Sequence, residues 1–443
     1  MSIRPHPGKK LVKPQSRSIP PNLTANTVFL PPAGHSTPAK CRVLLMIASM
    51  DGGGSERQTL VLLRHLDRSR FEPELFVLRR GGSLYDQIPA DVPVHCFQDA
   101  RSSPPSTRWD RLNWSFNWPG RIHRRQVAYL TSLLRDRSID VIYDRTFHMT
   151  LIADPAAEKT GTPRVSTIVS PPSHAVPLNA GRFQRLKRRQ LARAYARATA
   201  TIGVSEAVVD DAKIFYRLPD HVGICIPNPV DAEVLRGPIA NSPLPVRDRR
   251  YTIVCAGRMT PEKGHAVMID GLAEFRSQNV DVELPVVWMI GDGPLRDGLE
   301  ARVKQLYLQD NVRFLGHVDS IAPFVAQADL LCLPSTFEGF PNVVLEAMAI
   351  GTPVLASDIA AVRSLQKIEA QEIHSGGGCL ATFASQSAVD LAQKLQNVML
   401  DPVSTRARAM VAKRLTDEGL SIGVIVPKIE AIILLAVNAV PTT

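Results

Sequence analysis

None of the six cysteines, Cys41, Cys96, Cys225, Cys255, Cys332 and Cys379, stands in a C-x-x-C pair or near a histidine at metal-ligand spacing. That excludes a zinc-ribbon or thioredoxin-like reading. It leaves reduced cysteines, two of them (Cys255 and Cys332) inside apolar runs, as expected of a cytoplasmic protein. Long apolar runs are also missing. The best, Ile429–Val437, falls far short of the roughly 20 residues that a bilayer span requires and contains Glu430. Residues 1–40 contain no acid, and no apolar stretch follows their six Lys/Arg, so no signal peptide is expected.

What is present describes a globular chain with an excess of positive charge. Its 443 residues are too many for one ordinary core and suffice for two domains. Hydrophobic residues make up 44% and charged residues 21%, which excludes a disordered or fibrous chain beyond the first stretch. The net charge of +10 points to an anionic partner: a nucleotide, a phosphoryl lipid, a membrane surface or a nucleic acid. Residues 1–40, with eight prolines, are expected to be a disordered basic arm.

From Arg42 onward, short β-rich runs alternate with longer amphipathic stretches. Strands are expected at Arg42–Ala48, Leu75–Leu78, Val141–Tyr143, Val165–Val169 and Thr201–Val204. Pro227-Asn228-Pro229 and the Pro/Arg-rich segment 236–250 read as a linker. The series then restarts with Tyr251–Ala256, Val286–Ile290, Val312–Leu315, Leu330–Leu333 and Val354–Ala356. Continuous apolar strands separated by helices predict an α/β protein of two doubly wound parallel-sheet, Rossmann-like domains. The expected spans are 41–235 and 236–415, with a helical segment at 416–443. Their facing edges would form a ligand cleft.

Two segments of the second domain carry chemistry. Glu338-Gly-Phe-Pro-Asn-Val-Val-Leu-Glu346 follows a strand and enters a helix from about Asn342. The backbone N–H groups of Phe340, Asn342 and Val343 lie at the helix start, where an anion is favoured. Carboxylates accept well from vicinal sugar hydroxyls, so the pair Glu338 and Glu346 can hold two sugar rings. Gly257-Arg-Met-Thr-Pro-Glu-Lys-Gly264 places Arg258 and Lys263 at the mouth of the cleft, where fixed cations stabilise a leaving diphosphate. Gly291-Asp-Gly-Pro294 and Phe314-Leu-Gly316 are strand-end turns beside the same site. In the first domain, Gly52, Gly53 and Gly54 let a backbone approach a phosphate or sugar. A dinucleotide fingerprint fails here. Arg57 stands where a third small residue belongs, and the second strand ends in Arg79-Arg80, not in an acid.

These motifs resemble the retaining GT-B glycosyltransferases of the group 1 type, which include enzymes of polysaccharide and lipid-linked glycan assembly. The resemblance is strong from Tyr251 to Asp358 and weak in the first domain, at Gly52–Arg57 and Val204-Ser205-Glu206. It implies a GT-B fold with an acceptor domain and a nucleotide-sugar donor domain. It implies that Arg258 and Lys263 hold the donor diphosphate, that Glu346 binds the ribose and that Glu338 faces the donor hexose. A histidine after the fourth strand is usual near the reacting sugar, and either His148 or Arg145 takes that place here. The Phe340-Pro341-Asn342 form of the loop resembles UDP-dependent members. No D-x-D triplet occurs, so no metal is expected.

Arg182–Arg197, with seven Lys/Arg and no acid, reads as an amphipathic helix for an anionic membrane surface, which would make the protein peripheral on the inner face. No nucleic-acid motif is present. Two other functions share this architecture: a nucleotide-sugar epimerase, and a non-catalytic protein that binds a nucleotide or lipid phosphate.

Overall fold

The computed structural model describes residues 40–102, 120–179, 181, 183–237, 249–373 and 378–439. The expected basic arm lies outside these residues apart from Lys40, as do 238–248 of the expected linker and Arg182 of the basic helix.

Within the described residues two all-parallel sheets form, as the sequence predicts. The first contains β1 (Cys41–Ile47), β2 (Phe71–Val77), β3 (Val94–Cys96), β4 (Val141–Arg145), β5 (Arg164–Ile168), β6 (Ala200–Gly203) and β7 (Ile224–Cys225), in the order β3-β2-β1-β4-β5-β6-β7. The second contains β8 (Thr252–Ala256), β9 (Val286–Ile290), β10 (Val312–Gly316), β11 (Leu330–Leu333), β12 (Val354–Ser357) and β13 (Ala381–Phe383), in the order β10-β9-β8-β11-β12-β13. Both are Rossmann-like and doubly wound. β1, β4, β8 and β11 are buried almost throughout, because helices cover both faces of each sheet. β3, β7 and β13 are not among the expected strands. They are two or three residues long and half-buried, so they carry no apolar run. β2 starts at Phe71, ahead of the expected Leu75, because Glu72, Pro73 and Glu74 mask its signal. Glu74 is buried and satisfied by His95 Nε2 at 2.6 Å and Arg137 Nη2 at 2.9 Å.

The order reverses between β1 and β4 in the first sheet and between β8 and β11 in the second. At such a switch point the following loops diverge and leave a crevice at the carboxyl ends of the strands. The loops after β1, β4, β8 and β11 therefore face one another. They carry Gly52–Gly54, Arg145–His148, Gly257–Gly264 and Ser335–Glu346.

The expected apolar helix near Pro427–Val437 is part of Ile422–Asn438. It packs against β4, β5 and the helix Gly54–His65, so its apolar face covers the first sheet. Its buried Glu430 accepts a hydrogen bond from the Asp67 N–H at 2.8 Å. The helix Pro402–Glu418 runs through the expected boundary at 415 and packs on the helix that carries Glu346. Among the described residues no helix is long and apolar enough to cross a membrane. Five of the six cysteines are buried and all six are free; burial pushes the Cys255 thiol up to about 12.

Candidate active site

The second-domain turns are stitched together at the strand ends. The Gly257 N–H donates to Ile290 O at 2.9 Å, the Gly291 N–H to Gly316 O at 2.7 Å, and the Met259 N–H to Asp292 O at 2.9 Å. The turns that follow β8, β9 and β10 thus form one ledge. Gly264 ends the first of them at φ +67°, and a Cβ there would stand 2.0 Å from Pro334 O. Only glycine lets this turn lie against the loop that follows β11.

That contact brings the two motifs together. Lys263 Nζ donates to Glu338 Oε1 at 2.6 Å, and the fully buried Ser335 donates through Oγ to the same oxygen at 2.8 Å. Thr336 N–H donates to Glu262 O at 2.8 Å. Lys263 and Glu338, far apart in sequence, are one ion pair at the mouth of the cleft. Arg258 is exposed on the same turn as Lys263, next to the buried Met259.

Asn342 opens the helix Asn342–Ile350 and links both domains. Its Nδ2 donates to Gly54 O at 3.2 Å, and its Oδ1 accepts from Asn228 Nδ2 at 2.9 Å. Asn228 Oδ1 in turn accepts from Arg145 Nη2 at 3.0 Å. Two helix N-termini, at Gly54 and Asn342, therefore meet across the cleft, a favourable place for negative charge. Val343 and Glu346 lie on the first turns of the Asn342 helix, while Phe340 is buried just before it. Glu346 shares a pocket with Arg57, Gln58 and Asn342. Burial pushes its carboxyl up, and the Arg57 guanidinium pulls it back.

Of the first-domain candidates, Gly53 and Gly54 sit at the helix start. His148 is exposed on the first turn of the helix Phe147–Thr160, its ring 4.1 Å from that of Phe147. Desolvation, and then the Lys187 charge, lower its imidazole below the ordinary value. Arg145, at the end of β4, is buried and belongs to the Asn228–Asn342 network.

Several contacts escape a reading of the sequence, although Arg57, Ser205 and Glu206 lie in segments that carry the resemblance. Asn228, within the expected linker, is a site residue; the prolines on either side were its only signal. Arg57 reaches across to Asp319 O at 2.8 Å. The His174 ring stacks on Phe337 at 4.7 Å, one residue before Glu338. Ser205 Oγ donates to Gly339 O at 2.8 Å, and Lys367 Nζ to Glu206 Oε2 at 2.5 Å. These contacts are all between domains, and no local pattern records them.

The basic helix spans Gln184–Arg197, with Leu191, Ala194 and Tyr195 buried. Phe183 and Leu186, which the spacing allows on the same helical face, are exposed, because Phe183 adopts a left-handed conformation and the first helical turns stand clear of the core. Arg197 pairs with Asp154 and Glu158, and Arg188 packs 4.5 Å over the Phe215 ring. The helix is therefore less isolated in charge than its acid-free sequence suggests.

Two Rossmann-like domains whose strand-end loops face one another define a cleft of the GT-B type. Two stretches of the chain match glycosyltransferase family models. Residues 52–234 match Glycosyltransferase Family 4, and residues 250–401 match Glycosyl transferases group 1. The chain is 41% identical over 113 residues to a D-inositol 3-phosphate glycosyltransferase of Jonesia denitrificans, covering 24% of this chain and 27% of that protein. It is 37% identical over 142 residues to a phosphatidyl-myo-inositol mannosyltransferase of Mycobacterium tuberculosis, covering 31% of this chain and 35% of that protein. It thus spans about a third or less of the length of these curated relatives. The crystal structure of HepE from Anabaena in complex with UDP and glucose shares the fold, with a TM-score of 0.69, 21% identity, and coverage of 88% of this chain and 98% of that one.

Proposed function

We propose that this protein is a retaining glycosyltransferase that moves a sugar from a nucleotide-diphosphate donor, a UDP-sugar, to a glycan or lipid-linked acceptor. The observation that carries this reading is the Lys263–Glu338 pair, which joins the loops after β8 and β11 on the same side of the cleft as the Asn342–Gly54 contact. A phosphate-binding cation and a hydroxyl-binding carboxylate in direct contact suit a ligand whose diphosphate joins a sugar. HepE, a neighbour in fold, binds UDP and glucose together, which supports a uridine donor. The mannosyltransferase named for phosphatidyl-myo-inositol supports a lipid-linked acceptor.

In this reading Arg258 and Lys263 hold the diphosphate, with Gly53, Gly54, Gly291 and Gly316 close by. Glu346 takes the ribose hydroxyls and Glu338 the hexose hydroxyls, while Phe340, Asn342 and Val343 shape the loop. The first-domain cation near the reacting sugar is better placed at Arg145 than at His148, because Arg145 is buried in the network that reaches Asn342. The acceptor hydroxyl attacks the anomeric carbon on the face that the diphosphate leaves. The bond to the diphosphate oxygen breaks as the new bond forms, and that oxygen takes the acceptor proton. The developing negative charge falls on groups already fixed there, which lowers the barrier.

A radiolabelled panel of UDP- and GDP-sugars, with membrane extract as acceptor, tests the reading. One donor should yield labelled glycan or lipid with retained configuration. EDTA should leave most of that activity intact, because Arg258 and Lys263 supply the charge that a metal would. Complete loss on chelation, restored by Mg²⁺ or Mn²⁺, would count against charge neutralisation by the protein alone. Turnover of donor to its epimer without acceptor would make the protein an epimerase.

We place the acceptor side at an anionic membrane, on the inner face in the cytoplasm. Exposed Leu178, Phe183 and Leu186 lie beside Arg185 and Arg189, which are also exposed. Apolar side chains flanked by cations suit the boundary between headgroups and acyl chains. Each cation near such a surface contributes about 1 kcal/mol, and the attraction fades with salt. In liposome flotation, wild type should bind anionic vesicles at low salt and release at high salt. Exchange of Arg185, Lys187 and Arg189 for Gln should abolish the difference between anionic and neutral vesicles. Equal partitioning of both proteins onto both vesicle types would exclude the docking surface.

A further inference from the structure

Two buried arginines of the first sheet have opposite surroundings. Arg164, on β5, is 3% exposed. It pairs with Asp144 at 3.3 Å and Asp154 at 3.1 Å, and it donates to Ala194 O at 2.6 Å. Arg145, at the end of β4, is also 3% exposed. Among the described residues no carboxylate forms an ion pair with it, and its Nη2 donates to a neutral amide, Asn228 Oδ1, at 3.0 Å. Its buried Nε has no protein partner. A buried charge without a counter-charge is costly, so a site that keeps one is suited to meet an anion.

The neighbouring strand adds a second unpartnered group. Arg145 and Thr167 are register partners on β4 and β5. The preceding pair, Asp144 and Ser166, shows how close such partners come: Ser166 Oγ donates to Asp144 Oδ2 at 2.6 Å. Side chains alternate along a strand, so Arg145 and Thr167 share the opposite face, that of Val141, Tyr143 and Val165. Thr167 is 1% exposed, and its Oγ1 is buried without a partner. Gln58 reaches the same network from the helix Gly54–His65. Its Nε2 donates to Pro229 O at 3.2 Å and approaches Asn342 Oδ1, the oxygen that accepts from Asn228, at 3.5 Å. Its Oε1 is buried and unpartnered.

Buried polar groups are almost always partnered, so three unpartnered ones in a single network point to a ligand. An arginine N–H and a threonine hydroxyl donate to a carboxylate or phosphate oxygen, and a glutamine carbonyl accepts from a hydroxyl. The set therefore matches an oxyanion with a hydroxyl beside it, which is the chemistry of an acidic sugar. In the donor reading the diphosphate has its own cations, Arg258 and Lys263, on the second domain. We propose that Arg145, Thr167 and Gln58 form a first-domain subsite for an oxyanion carried on a substrate sugar, either the carboxylate of a transferred uronic acid or the phosphate of a phosphorylated acceptor. The inference rests on the donor reading above and adds that one of the two sugars is anionic. The subsite is enclosed where Asn342 of the second domain meets Asn228. Parting of that pair admits the sugar, and its return closes the site around it.

The test is calorimetric titration of the full chain in two arms. In the first, UDP-glucose and UDP-galactose are compared with the matching uronates, UDP-glucuronate and UDP-galacturonate, with UDP alone as reference. In the second, protein saturated with UDP is titrated with glucose and with glucose 6-phosphate. In one arm the anionic sugar should bind about tenfold more tightly than its neutral counterpart, and that arm identifies the source of the oxyanion. Arg145→Gln and Thr167→Val should each remove most of that preference. A merely structural role for Arg145 would weaken neutral and anionic ligands alike and leave the preference intact. Thr167→Val should melt no earlier than wild type, since its hydroxyl has no partner to lose, so its effect on binding reads the site and not the fold. If wild type binds UDP without a preference in either arm, or if both variants keep the preference, the inference is overturned and the donor reading stands. If the folded wild type does not bind UDP, the donor reading falls and takes the inference with it.

Discussion

Replacing Arg258 or Lys263 with Ala should lower turnover by about two to four orders of magnitude, ~3–5 kcal/mol of transition-state stabilisation, while the protein stays folded. Neither side chain belongs to a core. Arg258 is exposed, and its turn is held by the buried Met259 and by the bond from the Met259 N–H to Asp292 O at 2.9 Å. Lys263 is partly exposed and bonds only at its tip to Glu338. The two variants should still differ. Loss of Arg258 removes one cation. Loss of Lys263 also frees Glu338, which keeps Ser335 as its partner, and leaves a carboxylate unneutralised near the leaving diphosphate. Lys263→Ala should therefore be the more damaging of the two. Adding Glu338→Gln to it should cost less than the sum of the single changes, as residues in direct contact are coupled. Steady-state kinetics with thermal melts checks this. Near wild-type rates from either single variant would remove the diphosphate role.

The sequence displayed the second domain better than the first for a physical reason. Arg258, Lys263 and Glu338 lie on short loops at strand ends and Glu346 on the helix that follows, so each motif fits in one contiguous segment. The fold was legible because strands buried on both faces leave unbroken apolar runs. β3, β7 and β13, at sheet edges or half-buried, leave none. The first-domain contribution is built differently. Arg145 reaches Asn342 only through Asn228, and Asn342 reaches Gly54 only when the domains face each other. Such contacts are set by tertiary arrangement, with no spacing rule to reveal them. The basic helix shows the same limit. Its cations are visible in sequence, but the acids that answer Arg197, Asp154 and Glu158, lie on another helix.

Gly339→Ala should cut kcat/KM by about a hundredfold or more with little change in thermal stability, because about an ångström of misplacement at the reacting centre is enough for a loss of that size. Gly339 lies between Glu338 and Phe340, on the loop whose carboxylate we propose to face the donor hexose. A Cβ there would stand 1.9 Å from Val169 O and 2.7 Å from its carbonyl carbon. Both atoms are backbone at the end of β5, in the other domain, so neither can yield as a flexible side chain would. Gly339 O also accepts from Ser205 Oγ at 2.8 Å, and the His174–Phe337 stack lies alongside. These contacts join the first domain to this loop, and a methyl group on Gly339 wedges them apart. Each domain keeps its own sheet and one hydrophobic cluster of its own, so melting should change little, whereas the placement of Glu338 against the first domain should be lost. Gly298→Ala is the control. It lies in the helix Arg296–Gln305 with no atom within 4 Å of the new Cβ, so activity should persist and the helix should gain about 0.5–1 kcal/mol. Small-angle scattering should show a more open average shape for Gly339→Ala alone. Wild-type activity with unchanged scattering from that variant would mean that the domains do not need this close approach for turnover.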